Sequence, residues 1–402
     1  MKSLSDPLVA VVGGGIGGLA AALSLLRAGL DVQVFEQAPA LVEVGAGIQI
    51  SPNASRLLHR WGLRAALDRT GVRPVAVHQR RWDDGRTLQR APLGEAAEAA
   101  FGAPYYHFHR ADLLKALADA LPPERLHLGH RLAAFTDDGD GVELRFASGA
   151  TVSAGVLVGA DGIHSTVRGE LFGPEKPRFT GCIAYRGLVP ADRLGHLGLE
   201  VLANNWMGPG GHFVHYFVAG GRLVNFVAIN ERETWTRESW TDRGEVADAL
   251  AAFKGWHPQV GAIIGAVDET FIWALFDRAP LDRWSVGRVT LLGDACHAML
   301  PFMAQGAAQS IEDGATLTAC LVQRGGADIA SALRRYEALR LPRATRLQEM
   351  SRVNKTRFHL PDGPAQRERD AQLATRGDRS IEALGWLYSH DASVIDGNHA
   401  YP

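Results

Sequence analysis

A run of glycines directly after a short apolar segment constrains this chain more than any other feature. Residues 13–18 read GGGIGG; they follow the apolar residues 8–12 and precede a helical pattern over 19–28, and residues 31–35, DVQVF, read as a second strand. A continuous apolar run of this length is typical of a strand buried on both faces of a parallel sheet. The order strand, tight turn, helix and strand predicts a βαβ unit.

The glycine loop, residues 13–18, matches the dinucleotide-binding pattern GxGxxG in the context that this pattern requires. Gly13 would form the tight turn, Gly15 would let a pyrophosphate approach the backbone, and Gly18 would allow close packing of helix on strand. Glu36 ends the second strand, where a carboxylate can accept hydrogen bonds from ribose hydroxyls. The residues therefore predict dinucleotide binding, and the alternative is a glycine-rich contact between helix and strand.

Length, charge and cysteine content narrow the class of protein. The 402 residues are enough for two to three domains. Because 42 Lys and Arg are balanced by 44 Asp and Glu, no nucleic-acid partner is expected. Cys182, Cys296 and Cys320 are too few and too scattered for a disulfide framework or a metal site, which favours the cytoplasm. Residues 8–26 lack charge, but the glycine pattern explains them better than membrane insertion does.

Two later segments also follow predicted strands and combine small and acidic residues. Residues 159–168 read GADGIHSTVR, and residues 293–301 read GDACHAMLP. Together with the glycine loop they resemble the three fingerprints of the class A flavoprotein aromatic hydroxylases. Residues 45–54 resemble the flavin-contacting loop of that family, and residues 109–113 resemble its arginine-bearing helix start.

Two further segments resemble one branch of this family. Residues 206–212 and 358–364 are similar to the salicylate hydroxylases and 3-hydroxybenzoate 6-hydroxylases, and also to the 6-hydroxynicotinate 3-monooxygenases. Gln49 departs from the last group, which carries a histidine there. The resemblance extends over nearly the whole chain.

The resemblance implies an α/β fold of the GR2 flavoprotein hydroxylase type, with a Rossmann-like FAD-binding domain, an inserted substrate domain and C-terminal helices. Alternation of apolar and polar residues over 180–282 itself indicates a mostly antiparallel sheet. We expect the FAD-binding domain at residues 1–71, 102–179 and 283–342, the substrate domain at 72–101 and 180–282, and a C-terminal helical segment at 343–402. In that last region the arginines are expected to form a solvated face or an oligomer contact: Arg340, Arg343, Arg346 and Arg352.

The resemblance also implies a set of cofactor-binding residues. Arg110 would contact the ribityl–pyrophosphate part of FAD, Asp294 would contact a ribityl hydroxyl, and a helix starting near residue 305 would direct its positive end at the flavin. Asp161 and Gly162 would serve both FAD and a transiently bound NADH or NADPH. The expected set is Gly13, Gly15, Gly18, Glu36, Gln37, Gly47, Gln49, Arg110, Leu132, Asp161, Gly162, Asp294, Gly306 and Ala307.

His212 is the candidate catalytic base, with Tyr216 as its partner. Four residues apart on a strand, both side chains point to one face, whereas His215 points to the other. A phenol ionises only near pH 10, so a base within hydrogen-bond reach would activate it. The family uses a histidine and a tyrosine in this segment, and activity is then expected to rise through a pKa near 6.5. The alternative is a structural histidine on an aromatic-rich strand.

These observations predict an FAD-dependent monooxygenase that uses NADH or NADPH and O₂. Its expected substrate is a small phenolic carboxylate of the salicylate or 3-hydroxybenzoate type, hydroxylated through a flavin C4a-hydroperoxide, with or without loss of carbon dioxide. One alternative is hydroxylation of an N-heteroaromatic such as 6-hydroxynicotinate. Another is a non-hydroxylating flavin oxidoreductase or redox sensor on the same fold. A monomer or homodimer is expected.

Overall fold

The computed structural model describes residues 9–41, 46–233, 243–324, 328–376 and 382–399. Leu8, the first residue of the first predicted strand, and Gly45, the first of the predicted flavin-contacting loop, lie outside the described residues. Two large sheets and the helices around them make up most of the fold.

The described strands, in chain order, are β1 (Val9–Val12), β2 (Val32–Phe35), β3 (Gly47–Ile50), β4 (Ala76–Arg81), β5 (Thr87–Pro92), β6 (Tyr106–His109), β7 (Leu126–His127), β8 (Leu132–Asp137), β9 (Val142–Phe146), β10 (Thr151–Ala154), β11 (Val156–Gly159), β12 (Arg178–Pro190), β13 (Ala203–Gly208), β14 (Gly211–Val218), β15 (Leu223–Glu231), β16 (Arg243–Gly244), β17 (Thr270–Asp277), β18 (Ser285–Val286), β19 (Val289–Leu291), β20 (Val394–Ile395) and β21 (Asn398–His399).

The described α-helices are α1 (Ile16–Arg27), α2 (Pro52–Arg60), α3 (Arg64–Thr70), α4 (Gly94–Phe101), α5 (Arg110–Asp119), α6 (Thr166–Phe172), α7 (Val246–Ala252), α8 (Pro258–Ile264), α9 (Asp294–His297), α10 (Gly306–Val322), α11 (Ile329–Phe358), α12 (Pro364–Arg376) and α13 (Gly385–Tyr388). Within the described part of the chain, no helix has the length and apolarity needed to cross a membrane.

The first large sheet contains the predicted βαβ unit. Its strand order is β18-β19-β11-β1-β2-β7, and all neighbours are parallel except the edge pair β18–β19. All four residues of β1 are buried, as expected for a central strand covered on both faces. α1 and α10 pack against each other over this sheet. The carboxyl ends of β1, β11 and β19 therefore meet at one edge, where the three fingerprint segments begin.

The second large sheet is mostly antiparallel, as the alternation over residues 180–282 predicted. Its order is β16-β17-β12-β15-β14-β13-β4-β5, and β13–β4 is its one parallel pair among the described strands. On β12, β15 and β14 the register aligns Arg186 with Val227 and Val227 with Val214. Ile229 is likewise aligned with His212, so these side chains occupy neighbouring rows of one face.

The C-terminal arginines correct the expectation of a solvated face. Arg340 is 1% exposed, and three of the four arginines bind carboxylates: Arg340 binds Glu312 and Asp313, Arg343 binds Glu312, and Arg352 binds Asp277. Only Arg346 is exposed, and its guanidinium carbon lies 3.8 Å from the centre of the Trp386 ring. The helix that carries them, α11, packs on α10 and runs without a break across residue 342, where a boundary was expected. Amphipathic periodicity is weak in such a helix because partner carboxylates, not solvent, face its polar side.

Candidate active site

A cavity of about 600 Å³ is lined by residues from both large sheets. The parallel sheet contributes part of the glycine loop and the segments that follow β11 and β19. The antiparallel sheet contributes one face of β12, β14 and β15 and a stretch of β17. The cavity therefore joins the predicted nucleotide-binding segments to the predicted substrate sheet.

The glycine loop leaves open space in front of α1. Gly13 has a φ of +112°, and a Cβ there would lie 2.2 Å from the carbonyl oxygen of Ala160. A Cβ on Gly18 would lie 1.9 Å from the carbonyl oxygen of Gly13, so the helix and the turn are in close contact. A Cβ on Gly15 would meet nothing within 4 Å, and Gly15 lines the cavity. The N-terminus of α1 is thus accessible to an anionic group.

Glu36, at the end of β2, holds the glycine loop with its carboxylate. Gly14 donates its backbone N–H to Oε2 at 2.6 Å, and Ala38 donates to Oε1 at 2.8 Å. Each carboxylate oxygen can accept a further hydrogen bond, so ribose hydroxyls can still bind there. Gln37 is exposed beside it. Leu132 is buried in the core at the start of β8, so a cofactor contact at this residue is left to its backbone.

We expect Glu36→Lys to purify with little or no FAD. The lysine cannot accept the two backbone N–H groups or a ribose hydroxyl, and each unmet N–H costs about 1–3 kcal/mol where it is buried. Flavin absorbance per protein, with circular dichroism for folding, measures the effect. Glu143→Lys makes the same exchange at an exposed position of β9 and should keep its flavin. Full flavin content in Glu36→Lys would remove Glu36 from the cofactor site.

The short strand β3 brings Gly47 and Gln49 to the cavity. The Gly47 N–H donates to Oδ1 of Asn225 at 2.7 Å, and a Cβ on Gly47 would lie 2.7 Å from the Tyr216 ring. Only a glycine allows this approach of β3 to the antiparallel sheet. Gln49 accepts a hydrogen bond from the Tyr105 hydroxyl at 2.7 Å. Both predicted residues therefore lie where the two parts of the fold meet.

Asp161 and Gly162 have different positions. Asp161 accepts the backbone N–H groups of Thr166 and Val167 at 2.7 and 3.2 Å and so caps α6. Burial raises the pKa of Asp161 despite these hydrogen bonds. Gly162, with a φ of +79°, lines the cavity and has open space where a Cβ would lie. Asp161 therefore shapes the loop, and Gly162 is the member of the pair that faces the cavity.

The remaining predicted cofactor residues meet at one end of the cavity. Arg110, the first residue of α5, lines it together with Asp294, which is exposed towards it. Gly306 and Ala307 line it at the N-terminus of the 17-residue helix α10. That helix end carries a partial positive charge, which stabilises negative charge on a bound group.

A buried ionic cluster supports this end of the cavity from behind. Asp313 accepts the Gly293 N–H at 3.0 Å and lies 2.6 Å from Nε2 of His297. Arg340 binds Asp313 at 2.8 Å and Glu312 at 2.5 Å. Burial opposes ionisation of Asp313, but His297 and Arg340 hold its pKa below the ordinary value. The cluster fixes Gly293, and with it the start of the segment that carries Asp294.

His212 and Tyr216 both line the cavity, whereas His215 lies on the opposite face of β14. There His215 accepts a hydrogen bond at 3.3 Å from the indole N–H of Trp206. Burial, reinforced by a neighbouring histidine, holds the pKa of His212 well below its ordinary value. The imidazole is therefore neutral throughout the physiological range. This corrects the expectation of an activity rise near pH 6.5 from titration of His212.

Tyr216 differs from His212 in its proton chemistry. Burial raises the pKa of its hydroxyl, and the nearby guanidinium of Arg186 only partly opposes the rise. Tyr216 therefore keeps its proton and can donate a hydrogen bond in the cavity. It suits orientation of a substrate oxygen, and the neutral His212 suits acceptance of a proton.

Arg186, which the sequence did not single out, places a cation in the cavity. It is half-buried where it lines the cavity, its guanidinium carbon lies 4.1 Å from the centre of the Trp273 ring, and its Nε has no hydrogen-bond partner. No carboxylate of the described residues forms an ion pair with it. Burial lowers its pKa to about 10, so it remains charged at neutral pH. The alternation of β12 reveals two faces but not which one meets the cavity, so no sequence signal identified this residue.

The residues present fit FAD. Two helix N-termini with open space at Gly15 and Gly306 face one elongated cavity, which suits a pyrophosphate and a flavin ring. A carboxylate stands at the end of β2 for ribose hydroxyls. The apolar and cationic face of the antiparallel sheet then closes the same cavity on the substrate side.

Comparison with known proteins agrees with this geometry. A protein family described as "FAD binding domain" matches residues 6–183 and 221–351. The chain is 46% identical to 3-amino-4-hydroxybenzoate 2-monooxygenase of Streptomyces platensis over 98% of both chains. It is 41% identical to 6-hydroxynicotinate 3-monooxygenase of Bordetella bronchiseptica, over 87% of this chain and 91% of that one.

Solved structures show the same architecture. Klebsiella pneumoniae HpxO, crystallised with FAD and uric acid, superposes with a TM-score of 0.84 at 29% identity, covering 94% of this chain and 95% of that one. A substrate complex of salicylate hydroxylase superposes with a TM-score of 0.83 at 28% identity over 97% of both chains.

Proposed function

The chain belongs to the class A FAD-dependent aromatic hydroxylases, and from this we propose that it hydroxylates a phenolic carboxylate of the 3-amino-4-hydroxybenzoate type. NADH or NADPH would supply the electrons and O₂ the oxygen atom. The observation that supports this substrate class best is the pairing, on one cavity face, of the half-buried Arg186 cation with the neutral His212 base.

Arg186 would bind the substrate carboxylate. A cation partly withdrawn from water and without a counter-ion is costly, and an incoming carboxylate offsets that cost through a charge-assisted hydrogen bond. The flat guanidinium is already held against Trp273, so little conformational freedom is lost on binding. This interaction selects aromatic acids over neutral phenols.

His212 would accept the phenolic proton, and Tyr216 would orient the same ring oxygen or its neighbour. Loss of the proton makes the ring electron-rich and thus reactive towards an electrophilic oxygen. FAD, when bound, supplies that redox chemistry from the electron donor and O₂. Gly15, Glu36, Arg110, Asp294, Gly306 and Ala307 would hold it, with Gly13, Gly18 and Asp161 shaping the loops around it.

The positions of the two groups favour a para arrangement of carboxylate and hydroxyl. Arg186 and His212 lie two strands apart and two residues out of register. At ~4.8 Å per strand and ~3.4 Å per residue, their Cα atoms are roughly 12 Å apart. A substrate ring that reaches both residues needs its carboxylate, for Arg186, and its hydroxyl, for His212, at opposite ends. The hydroxyl and carboxylate of 3-amino-4-hydroxybenzoate and of 6-hydroxynicotinate are para, whereas those of salicylate are ortho and those of 3-hydroxybenzoate meta.

The spacing of Arg186 and His212 therefore favours a para-substituted substrate over the salicylate or 3-hydroxybenzoate type. The second candidate is 6-hydroxynicotinate, because its hydroxyl and carboxylate have the same spacing and its monooxygenase is 41% identical to this chain. The side-chain oxygen of Gln49 already accepts a hydrogen bond from the Tyr105 hydroxyl. The two candidates differ in that the first carries an amino group on the ring and the second carries a nitrogen in the ring. An experiment must distinguish these two substrates.

The test is a panel of aromatic acids scored by hydroxylated product as well as by consumption of NADH and NADPH. We expect 3-amino-4-hydroxybenzoate to yield a product one oxygen heavier, with one donor consumed per product. Preference for 6-hydroxynicotinate would select the second candidate. If NADH or NADPH is consumed but no acid of the panel is hydroxylated, the proposed substrate class is wrong. Preference for salicylate would show that the carboxylate and the hydroxyl need not be para.

We expect His212→Ala to retain FAD but lose hydroxylation by roughly 10²-fold or more, the usual contribution of a positioned base. Oxygen consumption should continue and appear as hydrogen peroxide. Raising the pH should partly restore product, because the phenol then ionises unaided. His215→Ala, on the opposite face of β14, should still form one hydroxylated product for each electron donor consumed. Fully coupled turnover in His212→Ala would place the base elsewhere.

A further inference from the structure

A continuous line of hydrogen bonds leads from the cavity to the protein surface through His212. Its Nδ1 lies 2.7 Å from Nε2 of His359, the residue that ends α11. The Nδ1 of His359 lies 3.0 Å from Oε1 of Glu231, the last residue of β15. The His359 side chain is 1% exposed and that of Glu231 is 46% exposed. The line therefore starts at the cavity, passes through the interior and ends at solvent.

The carboxylate at the end of the line orders the hydrogens along it. An ionised carboxylate can only accept, so Nδ1 of His359 carries a hydrogen in its bond to Glu231. When this is the single ring hydrogen of His359, its Nε2 accepts the Nδ1–H of His212. His212 is left with a lone pair on Nε2, which no described residue uses. The line thus prepares His212 to accept a proton from a molecule in the cavity.

We propose that His359 and Glu231 form a proton relay, which carries the phenolic proton of the substrate from His212 to the surface. The proposal rests on the proposed function, since it needs an ionising phenol in the cavity. In the relay the phenol O–H bond breaks and an Nε2–H bond forms on His212. Its Nδ1 proton passes to Nε2 of His359, and the Nδ1 proton of His359 passes to Glu231, which releases it to water. Both histidines end neutral, with their tautomers exchanged.

The relay explains how a deeply buried histidine can act as a base. Burial holds the pKa of His212 well below its ordinary value, so an imidazolium there is unfavourable. If His212 gives up one proton as it receives another, no positive charge remains in the interior. His359 is then a positioning residue with a second task, since it both fixes the tautomer of His212 and conducts its proton.

The groups around the relay keep its outer end ionised. The hydrogen bond from His359 lowers the pKa of Glu231; burial partly opposes this, and the charge of Lys355 on α11 adds to it. Lys355 itself donates to the carbonyl of Thr180 at 2.6 Å. Cys182 of β12 also faces this end, and burial raises its pKa to about 11, so its thiol does not compete for the proton. Glu231 therefore stays ionised across the neutral range, and a proton that reaches it is released at once to water.

The test uses His359→Gln and Glu231→Gln in the FAD-loaded enzyme. Glutamine at 359 can still accept from His212 and donate to Glu231 but cannot pass a proton on. Glutamine at the half-exposed position 231 removes the terminal acceptor at a site where folding is little affected. Glu233→Gln makes the same exchange at an exposed neighbouring residue and is the control.

Two measurements are made on 3-amino-4-hydroxybenzoate or on whichever panel substrate the wild type hydroxylates. The first is the ultraviolet change from phenol to phenolate when oxidised enzyme binds substrate without any electron donor, followed by stopped flow over a range of pH. The second is the ratio of hydroxylated product to hydrogen peroxide during turnover.

We expect both relay variants to form phenolate at least ~10-fold more slowly than wild type at neutral pH, and to approach wild type as the pH rises. Product should fall and peroxide should rise in parallel, while Glu233→Gln matches wild type. Phenolate formation as fast in both glutamine variants as in wild type overturns the relay, leaving His359 only the task of orientation. Absence of product in the wild type on every substrate would instead contradict the proposed function.

Discussion

Replacing Arg186 by methionine should weaken binding of the aromatic acid by about 2–4 kcal/mol, or ~30- to 1000-fold in Kd. The substrate carboxylate would enter the cavity without the cation that Arg186 places there against the Trp273 ring. Equilibrium titration of oxidised, FAD-loaded enzyme measures Kd directly. The KM for substrate should rise in proportion, and the FAD content should stay unchanged.

A substrate without the carboxylate provides the matched control. Wild type should bind 2-aminophenol poorly, and Arg186→Met should bind it at least as well as wild type does, since the unpaired charge in the cavity is gone. The variant should also unfold no more easily than wild type, because removal of an unpaired, half-buried ion relieves a desolvation cost. Unchanged affinity of Arg186→Met for the carboxylate would show that Arg186 does not bind it.

The fold was largely predictable because its determinants are local. The apolar strand, the spaced glycines and Glu36 lie within residues 9–36, and each depends on its immediate neighbours. The close contact of Gly18 with the Gly13 carbonyl and the hydrogen bond from Gly14 to Glu36 are the contacts that this spacing requires. Alternation similarly predicted the antiparallel sheet, since period two is a property of the strand itself.

The chemistry of the cavity was less predictable because it depends on contacts distant in sequence. His212 and His359 are 147 residues apart, and no local pattern indicates that they are bonded. The alternation around Arg186 on β12 separates two faces of the strand, but the place of Arg186 in the cavity follows only from how β12 packs. The resemblance indicated His212 and Tyr216, but the low pKa of His212 arises from burial that only the assembled fold shows.

The C-terminal arginines show the same limit for stability. Arginine-rich helices are usually solvated, and no pattern in α11 tells Arg340 from Arg346. Their carboxylate partners, Glu312 and Asp313, lie on α10, a helix whose sequence reads as small and apolar around them. Only the packing of the two helices pairs the charges, and one arginine becomes part of the core while the other remains at the surface.

Arg340→Leu should lower the free energy of unfolding by about 3–5 kcal/mol at neutral pH, because it leaves two fully buried carboxylates without their shared cation. Chemical unfolding followed by circular dichroism measures the change. Arg346→Leu, on the same helix, loses only a stacking contact with Trp386 and should change stability by about 1 kcal/mol or less. FAD content should also fall in Arg340→Leu, since Asp313 holds Gly293 beside the cavity.

The pH dependence of this effect identifies its cause. In the wild type, burial opposes ionisation of Glu312, but Arg340 and Arg343 hold its pKa down to about 2. A carboxyl whose folded pKa lies below its unfolded pKa, near 4.3, contributes stability that is complete above the unfolded value and is lost as the pH falls towards the folded one. In Arg340→Leu the two carboxylates lose their shared cation and keep only Arg343 and His297 as partners, so burial shifts them towards their protonated forms. The stability difference between wild type and variant should therefore shrink as the pH is lowered below about 5. A difference that stays constant down to the acid limit would mean that lost packing, and not the weaker pairing of the carboxylates, destabilises the variant.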